Sequence, residues 1–111
     1  SLDSDGSLLR RRLYHRLAPL IIEPDSSGVR RGSRYIRLSG QPLRVLELLL
    51  RVKSDETRTA LLAITGTENN MYRQIKNLRD AIEPLPHHAG EWVYVCNAGN
   101  GNYVVEGTTV S

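Results

Sequence analysis

Apolar positions along the chain change their period several times, and each change marks a predicted element. Leu20, Ile21 and Ile22 run together, a turn-forming stretch 24-PDSSG-28 follows, and 29-VRRGSRYIRL-38 then alternates, with Arg34, Ile36 and Leu38 against Tyr35 and Arg37. Period-two alternation bounded by Pro, Asp, Ser and Gly predicts two or three short antiparallel strands. After Leu38 the period lengthens. Ser39 stands where a helix N-cap belongs, Pro42 falls in the first turn, and Leu43, Leu46, Leu49 and Leu50 share one side of 43-LRVLELLLRV-52. A central buried helix is predicted there.

A second helix is expected over 56–64, entered from Ser54 or Asp55, burying Leu61, Leu62 and Ile64 and ended by Gly66. A third starts at once. Thr65 and Glu68 have capping-box spacing, with Thr67 as the alternative cap, and the helix runs to about Glu83, where Pro84 and Pro86 stop it. At about 100° per residue, Met71, Ile75, Leu78 and Ile82 fall in a stripe roughly 60° wide, which sets the buried side. Helix, tight Gly-containing turn and helix form the helix-turn-helix pattern. The runs 92-WVYVC-96 and 103-YVVE-106 then flank 97-NAGNGN-102, and Asn100-Gly101 is the dipeptide that best accepts the positive φ of a hairpin turn.

Opposite the apolar stripe the third helix carries Asn69, Arg73, Lys76, Asn77 and Asp80, with Asn70 and Gln74 on one flank and Tyr72 and Arg79 on the other. Asn is a poor helix former. Its presence three times has two readings. Either Asn70 serves the helix start and the rest is a solvated surface, or amide and guanidinium groups are displayed to match the paired donors and acceptors of adenine and guanine edges.

Composition bounds the function. With 111 residues the chain holds one domain with a core. No apolar run approaches the roughly 20 residues of a membrane span, and no apolar leader follows Ser1, so the expectation is a cytoplasmic chain, processed or excised from a larger parent protein. The single Cys96, among Val93, Tyr94 and Val95, reads as a buried strand thiol. Net charge is +3, unevenly spread: residues 1–40 hold eight Arg against four carboxylates, and the remainder seven Arg/Lys against eight. Residues 1–9 have the composition of a frayed terminus or linker, and 10-RRRLYHRLAP-19 fits a short basic helix or an extended arm.

Over roughly residues 18–107 the chain resembles the OmpR/PhoB-type winged-helix DNA-binding domain. In that family a strand ends in a Leu-Thr/Ser cap before a Leu-rich helix, as 38-LSGQPLRVLELLL-50 does here. The family's recognition helix ends Ile-x-x-Leu-Arg-x-x-Leu, to which 75-IKNLRDAI-82 is similar, and its closing hairpin carries Gly-x-Gly-Tyr, to which 99-GNGNY-103 is similar with one residue inserted. The resemblance implies groove-facing roles for Asn70, Arg73, Gln74 and Asn77, a phosphate-proximal or structural role for Arg79, and packing of Tyr103 between wing and helices. Two features depart from the family. Ala98 stands where a basic wing residue is usual, and no Lys or Arg occurs from Pro84 onward, so wing contacts would fall to backbone N–H groups and to Asn97, Asn100 and Asn102. The turn 65-TGT-67 is shorter than the family's loop, which removes it as a polymerase contact.

Enzyme chemistry is not expected. His87-His88 with Cys96 lacks the spacing of a structural zinc site, Gly99-Asn100-Gly101 precedes no helix, and Trp92 suits a core position. The expectation is therefore an α+β winged helix-turn-helix domain with three helices, a small N-terminal antiparallel sheet and a C-terminal hairpin wing. Residues 1–17 form a basic tail or linker, 18–107 the domain and 108–111 a tail. The expected function is sequence-specific double-stranded DNA binding by a transcriptional regulator acting as a homodimer or tandem copies, through Asn69, Asn70, Arg73, Gln74, Lys76, Asn77, Arg79, Asn100 and Asn102, without metal or cofactor. The competing class is a winged-helix module that binds protein rather than DNA.

Overall fold

A computed structural model describes residues 2–22, 28–84 and 92–110. The chain is an α+β domain with the order α1 (Leu2–Leu17), β1 (Leu20–Ile22), β2 (Gly28–Arg31), β3 (Arg34–Arg37), α2 (Gln41–Arg51), α3 (Thr57–Thr65), α4 (Glu68–Ile82), β4 (Val95–Asn97), β5 (Tyr103–Val105) and β6 (Thr108–Val110). The predicted turn over 24–28 lies mostly, and the loop containing Pro86, His87 and His88 wholly, outside the described residues.

Two expectations about the ends are corrected. Residues 2–9 are helical rather than a frayed terminus, and of the two forms open to 10–19 the helix is the one present through Leu17, so the described residues contain four helices instead of three. The helix is tied to the body by long-range contacts: His15 Nε2 donates to the Val93 carbonyl at 2.7 Å and Arg11 faces Glu106 at 3.6 Å. At the other end, Thr108–Val110 is a strand, not a tail. It pairs parallel with β1, Leu20 opposite Thr108 and Ile22 opposite Val110, which makes the four-stranded sheet β3-β2-β1-β6 mixed rather than purely antiparallel.

The β1–β2–β3 meander has the antiparallel pairing the alternation implies, with Val29 opposite Ile36 and Ile22 opposite Val29. Gly28 lies under Tyr35: an added Cβ would stand 2.5 Å from the Ile36 carbonyl oxygen, so only Gly lets β2 and Tyr35 come this close.

Helix α2 begins one residue later than expected. Gly40, at φ 67°, is its N-cap in place of Ser39, and Pro42 occupies the first turn. The left-handed conformation favours Gly there, whereas Ser at that φ would be strained. Its buried residues are Val45, Leu46, Leu48 and Leu49, while Leu50 is exposed, so the helix is rotated slightly from the predicted stripe. In α3, Leu61 is buried, Leu62 half-buried and Ile64 exposed, and the buried ends are Thr57 and Thr65.

The two readings of the α4 start resolve in favour of Thr67. Its hydroxyl accepts from Asn70 N at 3.1 Å, while the Thr65 hydroxyl donates back to the Leu61 carbonyl at 2.7 Å. Met71, Ile75, Leu78 and Ile82 are all at most 2% exposed and pack with Leu46, Leu49, Leu61, Val95 and Tyr103 in one core. At the far end Arg31 donates to the Ile82 carbonyl at 2.9 Å, a cation placed at the negative end of the helix.

The second sheet is the β4–β5 hairpin, with Val95 opposite Val105 and Asn97 opposite Tyr103. Asn100 and Gly101 have φ of 56° and 76°, and Asn102 N donates to the Gly99 carbonyl at 3.0 Å. The tip is a β-turn with both central residues left-handed, as Asn-Gly predicts, set within a five-residue connection between Asn97 and Tyr103.

Candidate nucleic-acid interface

Helix α4 presents its polar side to solvent because its opposite side is consumed by the core. Asn69, Arg73, Lys76, Asn77 and Asp80 are exposed. Among the described residues, Asn69, Arg73 and Asn77 make no side-chain hydrogen bond or ion pair, leaving one guanidinium and two amides free for a ligand. Lys76 differs, because Nζ lies 2.8 Å from Asp80 one turn along the helix. That pair cancels most of its own charge, and exposed pairs of this kind contribute little to stability.

Asn70 and Gln74 are partly withdrawn into the helix start. Asn70 Nδ2 donates to the Thr65 carbonyl at 2.9 Å, and its Oδ1 accepts from Gln74 Nε2 at 3.3 Å. Asn70 thus fills the cap-region role weighed above, and Gln74 keeps its amide oxygen and one amide N–H uncommitted. Glu68 in the first turn accepts from Arg58 of α3 and from Tyr72 at 3.3 Å. The hydrogen bond from Arg58 holds the Glu68 carboxyl below the usual range, and its counterpart raises the Arg58 guanidinium.

Arg79 makes the contacts that the structural one of its two expected roles requires. Its Nε and Nη2 donate to the Val95 carbonyl at 3.1 and 2.8 Å, Nη2 donates to Asn97 Oδ1 at 3.0 Å, and the guanidinium lies over Trp92 at 4.1 Å. Burial pushes its pKa down from the ordinary arginine value, with the Tyr103 ring beside it. Arg79 therefore binds α4 to the hairpin.

Of the hairpin amides, Asn100 is exposed at the tip, whereas Asn102 points inward, only 9% exposed. Asn102 Oδ1 accepts from Arg58 N at 2.9 Å, and Tyr103 N donates to the Thr57 hydroxyl at 2.8 Å. The Glu56 side chain makes no cap bond, so Asn102 supplies across space the acceptor that the start of α3 lacks. Its expected reach to phosphate is corrected accordingly. Asn102→Ala should lower the free energy of unfolding by about 1–2 kcal/mol in urea titrations. A free amide would leave the midpoint unchanged.

One residue that belongs to no sequence motif organises the neighbourhood. Buried Glu83 accepts from Val93 N at 2.8 Å, Tyr94 N at 2.9 Å and Val95 N at 2.8 Å, which fixes where the chain re-enters after the loop. Its only signal in the sequence is a carboxylate placed directly before Pro84, where the helix must end. Cys96 beside it is a buried thiol whose pKa is pushed up to about 12, first by burial and then by the Glu106 carboxylate, so it stays protonated and inert at neutral pH.

Beyond the C-terminal end of α4, a cleft of about 420 Å³ is lined by Arg31, Arg34 and Arg37 from the sheet and by Asp80 and Ala81 from the helix. Arg31 is engaged with Ile82, while Arg34 and Arg37 are exposed. Because Asp80 belongs both to this cleft and to the polar side of α4, the two surfaces adjoin. No helix among the described residues is long and apolar enough to cross a membrane. Comparison with family models, curated proteins and solved structures finds no match to this chain.

Proposed function

We propose that the chain is a winged-helix domain of the OmpR/PhoB type that binds double-stranded DNA, with α4 in the major groove and the β4–β5 hairpin as wing. The observation that carries this reading is the division of α4. Four apolar side chains are sealed in the core while Asn69, Arg73 and Asn77 stand exposed and unbonded on the opposite side. An α-helix fits the major groove, and Arg and Asn offer the two-pronged hydrogen bonding that distinguishes guanine and adenine.

The phosphate attraction that a basic wing would provide falls instead to Arg34 and Arg37, adjoining α4 across the cleft. The wing contributes Asn100 and backbone N–H groups. Since one helix reads few base pairs, the regulator works as a homodimer or as tandem copies.

Enrichment from a random duplex library followed by titration at two salt concentrations tests this. A specific site should emerge, and with Arg34 and Arg37 on phosphates log K should fall with log salt at a slope of about −2. Absence of any enriched site, or an affinity indifferent to salt, would favour the second reading. That reading, a protein-binding module, is favoured by the Lys76–Asp80 pair, which leaves Arg73 as the sole unpaired cation on the exposed face of α4 among the described residues.

A further inference from the structure

We infer that α1 carries a docking surface for an acidic amphipathic helix of another protein or domain. Leu9, Leu13 and Leu17 are 64%, 54% and 70% exposed, the three most exposed large apolar side chains among the described residues, with Tyr14 at 40% beside them. They recur every fourth residue, so at about 100° per residue they lie within a stripe roughly 80° wide. The other side of the helix is already committed. Arg11 reaches Glu106, His15 donates to Val93, and the His15 ring packs on Tyr94 with centroids 5.9 Å apart. The leucines therefore point away from the body by construction and not through a loosely placed helix.

Three features select the occupant. A narrow stripe is the geometry of a helix–helix seam, whereas a membrane-surface helix spreads its apolar residues over a broader face. The border is cationic: Arg12 and Arg16 are exposed along one edge, and no carboxylate occurs between Leu9 and Ile22. A second copy would bring only more cations to that seam, while a partner with Glu or Asp beside its own Leu row would meet complementary charge. Finally, three leucines and one tyrosine offer far less than the roughly 1,200–2,000 Å² buried by a stable, specific interface, which suits a short helix binding reversibly better than a permanent dimer. This surface involves no residue of α4 and stands independently of the DNA-binding reading.

The test uses the full chain and a synthetic peptide of about five helical turns, with Leu at the seam positions and Glu beside them. A Lys-for-Glu counterpart serves as control. The acidic peptide should bind by fluorescence anisotropy, and Leu9→Ser/Leu13→Ser/Leu17→Ser should weaken it by about tenfold or more with the far-UV circular dichroism unchanged. Arg12→Glu/Arg16→Glu should reverse the preference toward the Lys peptide. Failure of the acidic peptide to bind, or equal affinity for the triple-Ser variant, would overturn the inference. So would leucine-dependent binding to vesicles containing anionic phospholipid, or leucine-dependent dimerisation in sedimentation, with the peptide unbound.

Discussion

Glu83→Gln is expected to lower the free energy of unfolding by about 1–3 kcal/mol, the cost of leaving a buried donor without an acceptor. Three successive backbone N–H groups, of Val93, Tyr94 and Val95, converge on the two carboxylate oxygens at 2.8–2.9 Å, and Glu83 is 1% exposed. A glutamine of the same shape keeps one oxygen but turns an NH₂ group toward a donor. At least one N–H then loses its acceptor inside the protein, and the remaining bonds lose the reinforcement of the negative charge. Urea denaturation of wild type, Glu83→Gln and Glu83→Asp measures this. The Asp variant retains charge and loses reach, so both should fall well below wild type. A loss under about 1 kcal/mol for Gln would mean that water or a shift in the backbone satisfies the orphaned group.

The second large effect concerns recognition. Arg73→Ala is expected to weaken an enriched duplex site by about 1–3 kcal/mol, roughly 5- to 150-fold in Kd. Its guanidinium is exposed and has no partner within the described residues, so its removal should leave stability within about 0.5 kcal/mol of wild type. Arg79→Ala provides the contrast. Because Arg79 is bonded to Val95 and Asn97 and stacked on Trp92, that change should reduce stability first and affinity only through it. An Arg73→Ala protein that binds the site as tightly as wild type, at matched salt, would remove α4 as the reading helix.

How far the sequence foretold this arrangement depends on whether each feature is local. The α4 stripe was legible because Met71, Ile75, Leu78 and Ile82 repeat with the helical period, and Asn100-Gly101 specified its turn because few residues accept positive φ twice in succession. The short 65-TGT-67 connection likewise placed α3 and α4 in tandem. What stayed hidden depends on partners distant in the chain. The α1 segment contains Asp3, Asp5 and Gly6, weak helix formers, and is anchored from Val93 and Glu106 nearly eighty to a hundred residues away. Three residues of Thr108–Val110 carry too little pattern to announce a strand until β1 lies beside them.

The candidate site divides along the same line. Asn69, Arg73 and Asn77 stand where the helical wheel puts them, since no other described residue bonds them. Asn102 and Arg79 look in sequence like any exposed polar residues near a wing. Only the tertiary structure reveals that one caps α3 and the other fastens the hairpin, because both functions require backbone groups brought in from another element.

The parallel pairing of β6 with β1 also orders events during synthesis. Leu20 is made before α2, α3 and α4, and its strand neighbour Thr108 after all three. Until then Leu20, Ile21 and Ile22 present an unpaired strand edge to the nascent surroundings, the exposure that invites pairing between chains. The edge is covered only once β6 seats beside β1, so the parallel pairing leaves β1 open to mispairing while the helices between the two strands are being made.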